Sequence, residues 1–263
     1  MTKAGSVGLQ IEFYELVDSD PDFRATNFAS QIQALIERTS AELVDNSLIE
    51  PQSYQPVVIP YSTEQPESIP FIVLTSQNLQ IQISRRSFTM NVNFNIDEDA
   101  DLLKFSLFVE EVVRDFAEGE LANLINGGYR RIDCSANVFP LLTGSLDQQR
   151  RKIKMVAKNV INDDIVRTAA QTPFAGLNTS YVLLQSNKIY ASTIYALATN
   201  NLTHSRAIQV GVGFMIGGQD GINPDTLEVE KLETGLINEF INGLGQRLVD
   251  TIHERSERLP SGL

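Results

Sequence analysis

Alternating apolar and polar positions along this chain predict a β-sheet covered by long amphipathic helices. Residues 7–13 alternate strictly, with Val7, Leu9, Ile11 and Phe13 on one side, as in a strand with one covered face. Residues 88–94 and 132–138 follow the same pattern. Apolar residues at helical spacing predict one helix from Leu102 to Ile125 and a last helix from Leu227 to about Arg255. We expect an α+β fold with an antiparallel sheet and its long helices packed on one face.

The order of these segments indicates an internal duplication. The segment Val73-Leu74-Thr75-Ser76-Gln77-Asn78 is echoed at 182–187, and similar flanking segments follow in the same order around both. A helix from about Phe28 and a proline-spaced extended connection at 50–70 lie in the first half. The second half repeats the plan with a strand at 132–138, a helix at 148–161, strands at 181–197 and 207–216, and the last helix. We infer a duplicated β-α-β-β-β-α unit, with repeats 1–126 and 127–263 in one continuous globular unit.

Charge separates the two proposed repeats. Residues 1–126 carry 20 acidic and 7 basic side chains, a net charge of −13, whereas residues 127–263 carry 13 acidic and 14 basic ones, a net charge of +1. The whole chain has a formal net charge of −12, which argues against a general nucleic-acid binder, because such proteins neutralise phosphates with clustered Lys and Arg. The two repeats are therefore expected to present different surfaces.

The chain shows no sign of a membrane or secreted protein. It contains no apolar run of the roughly 18 to 20 residues that a membrane span needs, and its first residues contain no apolar signal-peptide core. The single cysteine, Cys134, lies on the inward phase of a predicted strand and is expected to be a buried thiol. We expect a cytoplasmic protein without contact to a membrane.

Three stretches resemble a sporadically distributed prokaryotic protein family of unknown function. They are Gln80 to Phe94, the segment Asn-Gly-Gly-Tyr-Arg-Arg-Ile-Asp-Cys-Ser-Ala-Asn at 126–137, and the final strand and helix. The family's middle stretch reads Arg-Ile-Gly-x-Arg-Tyr-Ile-Asn, whereas here the two arginines are adjacent and Tyr129 precedes them. The family has no assigned activity, so the resemblance implies a fold and not a chemistry.

Two basic features are candidate binding sites. The predicted helix at 150–158 holds five of the 21 basic residues, and Arg150, Arg151, Lys154 and Lys158 suit either a solvated face or a docking surface for an acidic partner. The pairs Arg85-Arg86 and Arg130-Arg131 fall in predicted strands, where one arginine of each pair should point to each face. One arginine per pair could then hold a carboxylate or phosphate, although edge-strand protection explains the pairs about as well.

An acidic cluster precedes the helix at Leu102. Asp97, Glu98, Asp99 and Asp101 would be favourable at that helix N-terminus by roughly 0.3 to 1 kcal/mol per group, and they would also form an acidic surface. The chain contains no nucleophile elbow, zinc spacing or complete calcium loop, so we assign no catalytic residue, no metal and no cofactor.

The absence of chemical motifs in a well-patterned acidic chain favours a non-enzymatic interaction protein, an adaptor or inhibitor, in a bacterial, archaeal or phage cytoplasm. A special case is an acidic inhibitor of a nucleic-acid-handling or defence system, because the −13 half could imitate a phosphate backbone. The alternative is a small anionic ligand binder or enzyme with a site in the groove between the repeats. We expect a protein partner, with a homodimer as a further option, and regard nucleic acid as the least favoured partner.

Overall fold

The protein is described from a computed structural model. The structure describes residues 3–16, 30–31, 34, 57–58, 70, 72–75, 78–96, 99–160, 178–186, 188–200, 205–217 and 231–259 of the 263. Most of the helix expected from Phe28, most of the connection at 50–70, and Asp97 and Glu98 lie outside the described residues, whereas residues 30, 31 and 34 are described and are helical.

One antiparallel sheet organises the molecule. Its strands are β1 (Lys3–Leu16), β2 (Val57–Val58), β3 (Ile72–Thr75), β4 (Leu79–Ile83), β5 (Ser87–Ile96), β6 (Ile125–Phe139), β7 (Asn178–Ser186), β8 (Ile189–Asn200) and β9 (Ser205–Ile216). They lie in the order β2-β3-β4-β5-β1-β6-β9-β8-β7. The long strands β1 and β6 pair at the centre, where Leu9 lies opposite Cys134. The strands that follow each of them extend outward in reverse chain order, and the internal duplication itself stays a prediction.

In the described part of the chain, four helices with defined bounds cover one face of the sheet. They are α1 (Asp99–Glu118), α2 (Leu146–Val160), α3 (Thr234–Ile241) and α4 (Leu244–Ser256), with a short 3-10 helix (Glu120–Leu124) after α1. All four contribute buried side chains to one hydrophobic core shared with the inward-facing residues of the strands. Phe105 of α1, for example, stacks on Phe94 of β5 with ring centroids 4.1 Å apart. The fold is therefore α+β, with an antiparallel sheet and helices on one face, as the periodicity predicts.

The first long helix ends earlier than its apolar pattern predicts. It stops at Glu118, and Asn126-Gly127-Gly128 lie inside β6 instead of ending the helix. A side chain at Gly119 would place Cβ 2.2 Å from the Asp115 carboxylate, which itself accepts a bond from the amide of Leu121 at 3.3 Å. The apolar residues beyond Glu118 belong to the 3-10 helix and the start of β6.

The last helix is two helices. The helical conformation is interrupted between α3 and α4 at Gly243. The φ angle of this residue, 64°, lies in the left-handed region that favours glycine. The apolar stripe continues across the break, since Phe240 and Ile241 of α3 and Leu244 and Leu248 of α4 are all buried. Periodicity alone cannot reveal such a break, because both helices bury the same side. Within the described part of the chain, none of the helices has the length and apolar character needed to cross a membrane.

Candidate functional site

A β-bulge sets the positions of Arg130 and Arg131 in β6. The register with β1 shifts after Glu12, so that Arg131 lies opposite Glu12 and Tyr129 lies opposite Phe13. Tyr129 and Ile132 both point into the core, and the two arginines between them lie on the opposite, polar face. The prediction that one arginine points to each face is therefore wrong for this pair, because the extra bulge residue interrupts the alternation.

Each arginine of this pair has a neighbour on the polar face. The Arg131 guanidinium donates to the Asp133 carboxylate at 2.8 Å, and the Arg130 guanidinium lies 5.5 Å from the centroid of the Tyr14 ring. Gln10 donates to the Glu12 carboxylate at 3.0 Å on the same face. The two arginines thus lie beside the carboxylates of Glu12 and Asp133, and Arg131 already forms an ion pair with Asp133.

The other arginine pair occupies a turn. Arg85 and Arg86 connect β4 to β5, and the Ser84 and Ser87 hydroxyls close the turn at 2.6 Å. The prediction that they lie in alternating strands is wrong, because the strands end at Ile83 and begin again at Ser87. The Arg86 carbonyl accepts a bond from the amide of Phe13 in β1 at 3.0 Å. Both arginine pairs consequently flank the same end of β1, which no spacing argument on the sequence could show.

Uncharged polar side chains dominate the centre of the polar face. Asn137 donates to Ser6 at 3.3 Å and accepts from Gln209 at 2.9 Å, so these three side chains link β1, β6 and β9. A side chain at Gly211 would place Cβ 2.4 Å from the Asn137 amide oxygen, and one at Gly213 would lie 2.7 Å from the Ser192 hydroxyl. Glycine at these two positions leaves room for the neighbouring polar groups to lie close to the sheet.

The predicted basic helix is α2, and its four candidate residues are all exposed. Arg150 lies 3.5 Å from the Asp147 carboxylate across one turn, an exposed pair of little energetic value. The solvent stripe of α2, which we define as Arg151, Lys154, Met155 and Lys158, lies opposite the buried side of the helix. The three cations of the stripe form no ion pair with the described residues. Met155 is 46 % exposed between them.

The predicted acidic surface is described only in part. Asp99 begins α1 and Asp101 is half-buried in its first turn, where the helix dipole favours carboxylates. Asp97 and Glu98 lie outside the described residues, so the acidic surface as a whole stays a prediction.

A buried polar cluster lies at the junction between α3 and α4, and no pattern in the sequence predicts it. Glu110 of α1 is buried, and its carboxylate accepts the Gly245 amide at 2.8 Å and an Arg114 guanidinium bond at 2.9 Å. It therefore caps the N-terminus of α4, where Gly243 has no side chain to do so. The Arg247 guanidinium donates to the Phe240 carbonyl at the end of α3 and lies 5.2 Å from the Phe214 ring centroid.

Burial shifts the pKa values of two groups in and near this cluster. Burial lowers the pKa of the Arg247 guanidinium, and the charge of Glu110 opposes that shift. Burial raises the pKa of the Cys134 thiol, and the neighbouring Asp133 raises it further. Cys134 is fully buried, as its position in the strand predicts. A buried thiol of this kind contributes to the packing of the core and does not act as a nucleophile.

We expect the free energy of unfolding to fall as the pH rises above about 9. Burial raises the pKa values of Cys134 and Tyr129 above their ordinary 9.0 and 10.0, and the Tyr129 hydroxyl donates to the Phe116 carbonyl. The folded protein keeps these protons at a pH where the unfolded chain has lost them, so the stabilisation is complete below pH 9 and is lost as the pH rises toward the folded values. Urea unfolding at about pH 8 and pH 10.5 measures the difference. Tyr129→Phe should reduce the alkaline loss, and an unchanged loss in that variant would contradict this explanation.

A polar groove of about 420 Å³ lies between the end of α1 and α3. It is lined by Arg114, Glu118, Asn238, Glu239, Ile241 and Asn242. Arg114 is the cation among these lining residues, and its side chain already forms ion pairs with Glu110 and Glu111. The lining therefore offers no unpaired cation to an anionic ligand. No group of three or more His, Cys, Asp or Glu residues that could hold a metal ion occurs among the described residues.

The strand β7 carries the most exposed apolar side chains of the described residues. Val182, Leu183 and Leu184 are 56 %, 56 % and 61 % exposed at the outer end of the sheet. The sequence predicts a strand here but gives no indication that it is the edge, because its apolar run suits an interior strand equally well.

Comparisons with known proteins assign no family to this chain, so its class is defined by its fold alone. No family model matches the chain, and no curated protein matches it. Among solved structures, the S. pombe Pct1 RNA triphosphatase aligns at 8 % identity over 97 % of this chain and 82 % of that chain, with a TM-score of 0.12. This TM-score is far too low to carry an argument. The protein is an α+β protein with one helix-covered sheet face and one polar sheet face.

Proposed function

We propose that the protein is a non-enzymatic interaction protein that acts through protein contacts, with the solvent stripe of α2 as a contact surface for an acidic partner. The observation that carries the proposal is the stripe itself, three cations without ion partners among the described residues and an exposed methionine between them. The buried side of α2 consists of Ile153, Val156 and Ala157, which pack the helix against the core. The stripe is therefore not needed to hold the helix on the core.

Charge favours an acidic protein as the partner. In a chain of net charge −12, a local group of cations attracts acidic surfaces while the rest of the molecule repels them. This contrast selects an acidic partner and also the orientation in which that partner docks on α2. Met155 adds a flexible apolar contact that adapts to a protein surface. A phosphate backbone would meet the same cations, but its charge density is higher than that of an acidic protein, so the overall negative charge of the molecule repels it more strongly.

The special case of an acidic inhibitor rests on the sequence alone. The net charge of −13 over residues 1–126 supports imitation of a phosphate backbone, and such a protein would act on a nucleic-acid-handling or defence system of a prokaryote or phage. If replacement of Asp97, Glu98, Asp99 and Asp101 by lysine leaves every partner interaction intact, this special case is wrong.

A second candidate function is binding of a small anion at the arginine end of the sheet. Its support is the bulge that brings Arg130 and Arg131 to one face, next to the turn that holds Arg85 and Arg86. Asp133 and Glu12 lie among these arginines and compete with an added anion. This competition makes the stripe on α2 the stronger site.

Charge reversal distinguishes the two candidates. We expect Arg151→Glu combined with Lys154→Glu to weaken retention of an acidic partner protein at least about tenfold, which corresponds to about 1.4 kcal/mol. The matched control is Arg85→Glu combined with Arg86→Glu, which reverses two neighbouring cations in the sheet turn and should retain the partner. Native mass spectrometry of each variant, purified gently from its own host, records bound proteins, nucleic acids and small molecules together.

The alternatives give different results in the same experiment. A bound metabolite that is lost only from the Arg85 and Arg86 variant would replace the proposed function by the second candidate. Nucleic acid that is lost from the α2 variant, with an affinity falling steeply with salt, would identify a nucleic-acid binder instead. A protein partner bound equally by wild type and the α2 variant would exclude the stripe as the contact surface.

A further inference from the structure

The strand β7 has an outer edge suited to strand pairing. It is the last strand of the sheet, and no other described strand pairs with its outer side. Its nine residues, Asn-Thr-Ser-Tyr-Val-Leu-Leu-Gln-Ser, contain no charged side chain and no proline. Natural edge strands are commonly protected by charge, proline, a bulge or short length, and of these β7 has only a register shift near its end, between Leu184 and Ser186. At the opposite edge the terminal strand β2 has two described residues, whereas β7 has nine.

The apolar residues of β7 are distributed over both of its faces. Val182 and Leu184 lie opposite Ser192 and Tyr190 of β8 on the polar face of the sheet. Leu183 lies opposite Ala191 on the face that carries the helices. Because all three are more than half exposed, a strand added at this edge would bury apolar surface on both sides at once.

We propose that the partner of this edge is a second copy of the chain, with β7 pairing antiparallel to the same strand of the partner around a twofold axis. A twofold axis perpendicular to the sheet keeps each face continuous, so residues of like face must pair. With Leu183 on the axis, Leu183 lies opposite the partner's Leu183 and Val182 lies opposite the partner's Leu184. This register matches all three exposed apolar residues with apolar residues.

The charge of the molecule favours this occupant. Two copies of a chain with net charge −12 repel each other on average, and an uncharged strand in the near-neutral half of the chain is a place where they can meet without a direct like-charge contact. A strand of a different protein would need the same apolar pattern, whereas a second copy supplies it by symmetry. The proposal goes beyond the interaction through α2, since it uses a different element and requires no acidic partner.

Cysteine crosslinking tests the register directly. Opposite residues of antiparallel strands have Cα atoms about 4.5 to 5.5 Å apart, which is within disulfide range. Leu183→Cys should therefore form a covalent dimer on mild oxidation, and the native Cys134 does not interfere because it is fully buried. The matched control is Ser180→Cys, also exposed on β7, which in this register lies opposite the partner's Ser186 and should not crosslink to its own copy.

Light scattering measures the assembly without oxidation. The wild type should have the mass of a dimer at about 100 µM, because a dimer of micromolar affinity is almost fully formed at that concentration. Val182→Lys should weaken the affinity of the dimer at least about tenfold. Because Val182 is exposed, the lysine variant should keep the circular dichroism and unfolding midpoint of the wild type. A wild type of single-chain mass, crosslinking of Ser180→Cys as efficient as that of Leu183→Cys, or a dimer that survives Val182→Lys would each overturn the proposal.

Discussion

Replacement of Glu110 by alanine is expected to lower the free energy of unfolding by about 3 kcal/mol. The carboxylate is buried and caps the first turn of α4 through the Gly245 amide, and it offsets part of the burial of the Arg247 guanidinium. Removal of one member of a buried charged cluster typically costs about 3 to 5 kcal/mol, because the remaining groups stay desolvated without a partner. We take the lower end because Arg247 and Arg114 are both partly exposed. Urea unfolding of both proteins measures the change.

The chain offers a close control for this variant. Glu111 is the next residue on α1 and contacts the same arginine, with Glu111 Oε1 at 3.4 Å from Arg114 Nε, but its side chain is 53 % exposed. Glu111→Ala should change the free energy of unfolding by less than about 0.5 kcal/mol, as is usual for an exposed ion pair. Equal losses in the two variants would show that Glu110 contributes only through Arg114 and not as the cap of α4.

Replacement of Gly245 by valine is expected to destabilise the fold by about 1 to 3 kcal/mol. A Cβ atom at this position would lie 3.0 Å from the backbone nitrogen of Leu107 and 3.0 Å from the carbonyl carbon of Ser106 in α1. Backbone atoms of a packed helix cannot rotate away as a side chain does, so α1 and α4 must move slightly apart and pack less closely. The unfolding midpoint in urea, with its slope unchanged, would measure this loss.

Gly235 in α3 provides the matched control for the valine substitution. It is also a helical glycine, but nothing lies within 4 Å of a Cβ atom there. Gly235→Val should stay within about 0.5 kcal/mol of the wild type, since valine is slightly better than glycine inside a helix. If the two valine variants are equally stable, the close approach of α1 and α4 at Gly245 is not what limits this position.

Local periodicity predicted most of the fold because strands and helices bury one side each. The alternation at Val7 to Phe13 and at Ile132 to Val138 identifies the two central strands, and the inward phase correctly places Cys134 in the core. The errors lie where one residue decides the geometry. Gly243 divides the last helix, and the bulge at Arg130 brings both arginines to one face. Neither change alters the average hydrophobic pattern.

The candidate sites were less predictable because they depend on contacts between distant segments. The basic residues of α2 could be recognised, since their spacing places Arg151, Lys154 and Lys158 on one side of a helix. Glu110 looks in sequence like any charged residue of an amphipathic helix, and only its approach to Gly245 reveals the cap. The exposure of Leu183 likewise follows from the strand order, which the sequence does not contain.

The pairing of β1 with β6 at the centre of the sheet has a consequence for the rate of folding. Leu9 and Cys134 are neighbours in the sheet but far apart along the chain, so closing the sheet requires a large loss of chain entropy before the central contacts form. Proteins dominated by such distant pairings fold slowly compared with helical proteins of local contacts. The apolar sides of these two strands are left uncovered during that delay, and efficient folding of this protein should depend on dilute conditions or a chaperone.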